Sequence, residues 1–175
     1  MYPRVKCNGI QSSKTNKKEL SKIVEDTSIS KNEISIGEKI NKIMKGKKEK
    51  LLIGVSRSCN VSKRQISKFK KCNITRKNEK KQSFLLLYSQ YIESISLRNY
   101  LYKDFSKVKF VKLYQSILES IRLMQRNNIV HNDLTSNNII VSKGESKSIH
   151  VIDFGLSFCL DYCFDSNHKL LSLIH

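Results

Sequence analysis

The sequence lacks several features that would place it in common protein classes. Of its 175 residues only one, Pro3, is proline, so proline-rich linkers are absent. The longest apolar run comprises residues 84–88, whereas a membrane-spanning helix needs about 20 apolar residues. The N-terminal segment has no apolar core typical of a signal peptide. No repeat of about 20–50 residues occurs, which excludes a solenoid.

Cysteine and glycine are also sparse. The five cysteines are an odd number and form no C-x-x-C, so the sequence predicts neither a disulfide framework nor a zinc site. We therefore expect reduced thiols, in a protein of the cytoplasm or the nucleus. The six glycines are scattered and never form G-x-G-x-x-G, so a glycine-rich phosphate loop cannot be placed.

Positive charge is abundant and unevenly distributed. The net charge is +18, and residues 1–81 carry 23 Lys/Arg against 7 Asp/Glu, whereas residues 82–175 carry 10 against 8. An excess of this sign favours a polyanionic partner such as RNA, or an acidic protein. The mixture of lysine with asparagine and isoleucine also arises from AT-rich coding sequence. Both interpretations stay open at this point.

Hydrophobic periodicity predicts alternating helices and strands. Helices are predicted over residues 33–45, 97–102 and 106–127. Strands are predicted over residues 51–55 and 83–88, followed by a hairpin of 139–141 and 149–152. Residues 1–35 are expected to be loop-rich or poorly ordered, and residues 57–82 to form a basic loop.

Two motifs near the C-terminus carry chemistry. The segment I-V-H-N-D-L-T-S-N-N-I-I-V follows the longest predicted helix, and V-I-D-F-G-L follows the hairpin. Asp133 is placed to orient an attacking hydroxyl or water, as phosphoryl transfer requires. Asn138 and Asp153 offer the oxygen ligands that Mg²⁺ prefers, and the hairpin brings them to the same end. Gly155 is expected to let the chain turn sharply after Asp153.

The joint pattern resembles the catalytic loop and D-F-G motif of protein kinases. It is closer still to the small atypical kinase of the KEOPS (EKC) complex, through Thr135 and the extension L-S-F at 156–158. The resemblance implies an α+β, two-lobed kinase-like fold with a divergent basic N-lobe over residues 1–90. A shortened, mainly helical C-lobe would cover residues 91–175. It also implies that His131 is structural and that Phe154 belongs to the core.

The same resemblance implies ligands and partners. ATP and Mg²⁺ would be the cofactors, and the activity would be weak serine/threonine phosphorylation or ATP hydrolysis. The role would be in threonylcarbamoyladenosine modification of tRNA, with the catalytic and small regulatory subunits of the complex as partners. The basic N-terminal half is then a candidate contact for tRNA.

The nucleotide pocket itself is harder to place. Kinases use a lysine paired with a glutamate, and the candidates are Lys6 or Lys14 for the lysine and Glu38 for the glutamate. Gln90 and Tyr91 resemble the start of the hinge that contacts the nucleotide. The two lysines and Glu38 also suit solvated surface positions.

Two departures from ordinary kinases keep alternatives open. Asn132 replaces the arginine that pairs with a phosphorylated activation loop, so control of that kind is not expected. Thr135 replaces the lysine of typical serine/threonine kinases, which argues against fast phosphorylation of protein. With no phosphate loop and a short C-lobe, a catalytically inactive interaction subunit is the main alternative. A small-molecule phosphotransferase and a basic RNA-binding protein are weaker ones.

Overall fold

The computed structural model describes residues 19–62, 83–103, 107–143 and 147–160. Within these ranges the chain forms three helices and eight short strands. The elements are β1 (Glu19–Glu25), α1 (Ser28–Ile43), β2 (Val55–Val61), β3 (Phe84–Gln90), β4 (Ser94–Ser96), α2 (Leu97–Lys103), α3 (Lys107–Arg126), β5 (Ile129–Val130), β6 (Ile139–Ser142), β7 (Ile149–Val151) and β8 (Phe158–Cys159). This mixed α/β content agrees with the predicted class, and the two-lobed arrangement stays a prediction.

The first sheet has the order β1-β3-β2, with both pairs antiparallel. Because side chains alternate across a strand, the sheet buries two separate sets of apolar residues. Val24 packs on the face that meets Ile34 of α1, whereas its neighbour Ile23 packs on the opposite face. Lys22 is two residues from Val24, so it points to the face covered by α1.

Helix α1 has a well-defined start. Thr27 caps it, because its side chain accepts a hydrogen bond from the backbone N–H of Ser30 while the Ser30 hydroxyl accepts one from the backbone N–H of Thr27. This reciprocal arrangement satisfies two backbone donors that would otherwise lack partners. The expectation of a poorly ordered segment over residues 1–35 is therefore wrong for 19–35, which form β1 and the first half of α1.

Two glycines bring α1 against the chain that enters β2. A Cβ atom at Gly37 would lie 2.6 Å from the backbone oxygen of Val55, and one at Gly54 would lie 2.7 Å from the Cα of Gly37. Real Cβ atoms do not approach so closely, so the contact requires glycine. Asn41 fastens the same side of the helix, because its side-chain amide donates to the oxygen of Val55 at 2.8 Å.

A second sheet, β4-β6-β7, and the pair β5-β8 surround the catalytic motifs. Strands β6 and β7 form the predicted hairpin. Leu52 makes a single parallel bridge to Val151, with hydrogen bonds from Ile53 N–H to the Val151 oxygen (2.9 Å) and from Val151 N–H to the Leu51 oxygen (2.8 Å). The chain before β2 is therefore bonded to the strand that leads to Asp153.

One large core connects α1 with the C-terminal elements. Ile36 and Ile40 of α1 belong to the same buried cluster as Ile149 and Val151 of β7. Buried residues of α3 complete the cluster, including Leu113 and Met124. Helix α1 and the strand before Asp153 thus contribute to the same core.

Several boundaries and one chemical expectation need correction. The predicted strand 51–55 is replaced by the single bridge at Leu52, and β2 runs through 55–61, into a segment expected to be a loop. Residues 63–82 lie outside the described ranges. Cys59 of β2 is disulfide-bonded, so the expectation of reduced thiols is wrong for it. Within the described ranges, none of the helices combines the length and apolarity needed to cross a membrane.

Candidate active site

Three charged side chains from distant parts of the sequence meet beside α1. The Nζ atom of Lys22, on β1, lies 2.6 Å from Oε1 of Glu33, in the second turn of α1. The same Nζ lies 3.4 Å from Oδ1 of Asp153, just after β7. Glu33 is buried, with 8% of its side chain exposed, whereas about half of each of the other two side chains is exposed. The cluster therefore has one closed side and one side open to a ligand.

The electrostatics of Lys22 follow from this arrangement. Partial burial by itself lowers the pKa of Lys22, because a charged amine loses water. The hydrogen bond and the charge of Glu33 act in the opposite direction, and Asp153 adds to them. The net effect raises the pKa of Lys22 above its usual value. The amine is consequently a fixed positive charge at neutral pH.

The backbone bends at Asp153 rather than at the glycine. Asp153 has a φ angle of 61°, in the left-handed region that non-glycine residues seldom adopt. Gly155 has no such angle, which corrects the expectation that it supplies the sharp turn. A Cβ atom at Gly155 would lie 3.5 Å from both Asp153 Oδ1 and Glu33 Oε2, which is ordinary van der Waals contact. Unusual φ angles at non-glycine residues are found preferentially at functional sites.

His131 contacts the chain immediately before this bend. Its Nε2 lies 3.0 Å from the backbone oxygen of Ile152, the residue before Asp153. Its ring packs against the ring of Phe154 with 4.7 Å between centroids. Both side chains are buried. These contacts of His131, with the backbone of Ile152 and the ring of Phe154, fix the path of the D-F-G segment.

The catalytic loop is organised by Asn138. Its side-chain amide nitrogen donates to both the backbone oxygen and Oδ2 of Asp133, each at 2.9 Å. The backbone oxygen of Asn138 accepts from Ile152 N–H at 2.9 Å, so the loop is bonded to the chain just before Asp153. Asp133 and Asn138 are therefore held in a fixed relation.

The donor set suits a magnesium ion. The amide nitrogen of Asn138 faces Asp133, so its oxygen faces away, and Asp153 contributes a half-exposed carboxylate. Mg²⁺ prefers oxygen ligands, and one or two protein groups suffice when phosphates and water supply the rest. The residues present therefore fit a magnesium ion bound together with a nucleotide.

The other predicted nucleotide contacts are placed differently. Lys6 and Lys14 lie outside the described residues. Glu38 lies on α1 but is exposed to solvent, and Glu33 is the residue that meets a lysine. Gln90 ends β3 and Tyr91 begins the short connection to β4; both are exposed. They lie at the passage from the first sheet to the second.

Sequence reasoning missed Lys22 and Glu33. The signal was present but weak, because β1 is a half-exposed edge strand with little hydrophobic patterning. The segment K-I-V-E-D-T, with lysine in a strand just before a threonine-capped helix, resembles the lysine strand and following helix of kinases. A glutamate one to two turns into that helix could have been paired with this lysine.

Comparisons with known proteins point to protein kinases. The family model described as protein tyrosine and serine/threonine kinase matches residues 14–171. Dual specificity tyrosine-phosphorylation-regulated kinase 2 of Drosophila melanogaster is 37% identical over 79 residues, which are 45% of this chain and 11% of that protein. Calcium-dependent protein kinase 4 of Plasmodium berghei is 37% identical over 70 residues, 39% of this chain and 13% of that protein.

A viral relative gives a similar result. Putative serine/threonine-protein kinase L268 of Acanthamoeba polyphaga mimivirus is 34% identical over 65 residues, 37% of this chain and 11% of that protein. The matched part of the chain thus spans little more than a tenth of the length of each of these relatives. The family model, by contrast, covers most of the chain, including Lys22, Glu33 and both catalytic motifs. The chain belongs to the protein tyrosine and serine/threonine kinase family.

Proposed function

We propose that this chain binds Mg-ATP beside α1 and transfers the γ-phosphoryl group to a serine or threonine hydroxyl. The observation that carries the proposal is the position of Lys22, which contacts Glu33 and Asp153 at once. In protein kinases, a lysine–glutamate pair and a metal-binding aspartate must both be in place for catalysis. An inactive relative has no need to keep these three groups together.

Each residue has a role that its surroundings support. Lys22 is a fixed cation that neutralises nucleotide phosphates, and Glu33 holds it in place. Asp133 is the carboxylate that orients the acceptor hydroxyl. A magnesium ion held by Asp153 and Asn138 would supply positive charge to the phosphates. Catalysis by this set would rest on positioning and charge neutralisation.

The test is turnover of Mg-ATP by the purified chain. The D153N variant removes the charged metal ligand while keeping its shape, and E119Q, on the exposed surface of α3, is the matched control. We expect transfer of labelled phosphate to a serine-rich peptide mixture to fall at least about 100-fold in D153N. It should stay unchanged in E119Q. Equal turnover in the wild type and D153N would contradict the proposal.

A second candidate function keeps the same site but changes the acceptor to water. The features that favour it are Asn132 and Thr135, which depart from ordinary kinases, and the L-S-F extension at 156–158. On this hypothesis the chain hydrolyses ATP within a KEOPS-type complex and supports modification of tRNA, to which the basic N-terminal half contributes charge. Phosphate release without peptide labelling, stimulated by tRNA and the partner subunits, would favour it. Binding to those subunits without any response to Mg-ATP would instead favour an inactive interaction subunit.

A further inference from the structure

Two side chains of α1 reach across to the segment that follows Asp153. The side-chain amide of Asn32 donates to the backbone oxygen of Ser157 at 2.5 Å. Seven residues later, Nζ of Lys39 donates to Sγ of Cys159 at 2.8 Å. Residues seven apart lie on the same face of a helix, about two turns from each other. One face of α1 is therefore hydrogen-bonded at two points, about two turns apart, to residues 157–159, which we call the catalytic segment.

The contact at Asn32 is the one nearest to the charged cluster. Asn32 precedes Glu33 directly, so holding one side chain limits the movement of the other. Its acceptor is itself fixed, because Ser157 is almost fully buried and its hydroxyl donates to the backbone oxygen of His131 at 3.0 Å. Ser157 N–H also donates to the oxygen of Phe154 at 3.1 Å. Asn32 thus connects the Glu33 turn to a rigid part of the catalytic segment.

This connection matters because a usual means of control is missing. In protein kinases, phosphorylation of the activation loop controls the position of the helix that carries the glutamate. The phosphate is bound by the arginine before the catalytic aspartate, and this chain has Asn132 there, with a φ angle of 59° and an exposed side chain. A neutral amide cannot replace the bidentate contact of a guanidinium with a phosphate. The lysine–glutamate pair is nevertheless formed.

We propose that Asn32 is a positioning residue that keeps Glu33 on Lys22 without any phosphorylated residue. The hydrogen bond from Asn32 to Ser157 takes over the role that a phosphate contact has in loop-controlled kinases. The inference rests on the proposed Mg-ATP site, since it explains how that site stays assembled. It assigns a role to a residue that touches neither the nucleotide nor the acceptor.

The matched variants are N32D and N41D. Each replaces an amide donor by a carboxylate of the same shape on α1, and each does so opposite a backbone oxygen, that of Ser157 or of Val55. The helix dipole disfavours a carboxylate at Asn41, near the C-terminal end, more than at Asn32. A general loss of stability should therefore be at least as large in N41D. Only N32D removes a hydrogen bond between α1 and the catalytic segment.

Two measurements on the full chain decide the matter. We expect kcat for Mg-ATP turnover to fall about 10- to 100-fold in N32D, because small displacements of positioning groups have effects of that size. N41D should retain kcat within about threefold. Hydrogen exchange of the backbone amides in 154–160, measured without nucleotide, should quicken in N32D alone.

A double-mutant cycle with E33Q separates positioning from general damage. If Asn32 acts through Glu33, adding N32D to E33Q should lower kcat by no more than about threefold further. An independent loss of the full size would overturn the inference, and so would equal behaviour of N32D and N41D in both measurements. A wild-type chain without Mg-ATP turnover would overturn the proposed function instead. The hydrogen-exchange comparison would still decide whether Asn32 holds the helix.

Discussion

The amine of Lys22 lies 3.4 Å from the carboxylate of Asp153, although 131 residues separate them in the sequence. The contact joins the edge strand of the first sheet to the segment after β7. It forms because Lys22 points to the α1 side of its sheet and because the backbone of Asp153 adopts a left-handed bend. Under the proposed function, a phosphate-neutralising group and a metal-binding group are thereby brought within reach of one ligand.

The first prediction concerns Lys22. K22M should lower Mg-ATP turnover at least about 100-fold, because it removes a preorganised positive charge from a partly enclosed site. The control is K31M, which removes the mostly exposed lysine that lies 3.3 Å from Asp26 on the surface. Exposed ion pairs contribute little, so K31M should stay within about twofold of the wild type. Steady-state kinetics and a thermal melt of each variant check this.

The second prediction separates chemistry from binding at Asp133. D133N keeps the shape of the side chain and an oxygen that can accept from Asn138. Phosphoryl transfer should fall about 10²- to 10⁴-fold, the usual contribution of a general base. The dissociation constant for Mg-ATP, measured by calorimetry, should stay within about threefold. A large loss of nucleotide affinity would show that Asp133 acts mainly as a binding residue.

The third prediction tests the close contact of α1 with the chain before β2. In G37A, the new methyl group meets the backbone oxygen of Val55 at 2.6 Å. Overpacking costs about 1–3 kcal/mol, against about 1 kcal/mol gained from helix propensity. We expect a net loss of up to about 2 kcal/mol in urea unfolding, together with reduced turnover, since Glu33 lies one turn away.

Gly46 provides the comparison for that variant. It has a φ angle of 76°, and a Cβ atom added there would have no neighbouring atom within 4 Å. G46A should therefore lose about 1 kcal/mol through backbone strain alone and leave turnover unchanged. If G37A proves as stable and active as the wild type, the helix is not held in the way described.

The fourth prediction follows from the raised pKa of Lys22. A lysine whose pKa is higher in the folded than in the unfolded protein stabilises the fold fully below the unfolded value, here 10.5. That contribution is lost as the pH rises through the folded pKa. The difference in unfolding free energy between the wild type and K22M should thus be constant at neutral pH and shrink above pH 10.5. A difference that changed between about pH 6 and 9 would contradict this assignment.

A feature can be predicted from the sequence when the residues that determine it are close together in the chain. Asp133 and Asn138 are five residues apart, and Asp153 follows a local hairpin, so their proximity can be predicted from spacing. The helix 106–127 can be predicted equally well, because a long apolar stripe is a strong local signal. These features need little information from the rest of the chain.

Lys22 and Glu33 could not be identified in the same way. Strand β1 pairs with β3, whose partner residues lie 59 to 71 positions later in the chain. The first four residues of β1 are exposed. Such a strand has almost no periodic pattern, so the sequence suggests a poorly ordered segment there. The spacing that nominates Lys6, Lys14 and Glu38 contains no information on which face of the sheet meets α1. That face is decided by packing between distant residues.

The bridge between Leu52 and Val151 has a consequence for how the molecule comes apart. Because the chain before β2 is hydrogen-bonded to β7, and because Ile40 and Ile149 share a core, α1 is held by the C-terminal elements as well as by the first sheet. The helix and the strand before Asp153 should therefore melt in one cooperative step. Removing residues 19–62 would expose the apolar side of β7 and favour aggregation. Glu33 and Asp153, the two acidic partners of Lys22, should therefore lose their positions in the same unfolding step.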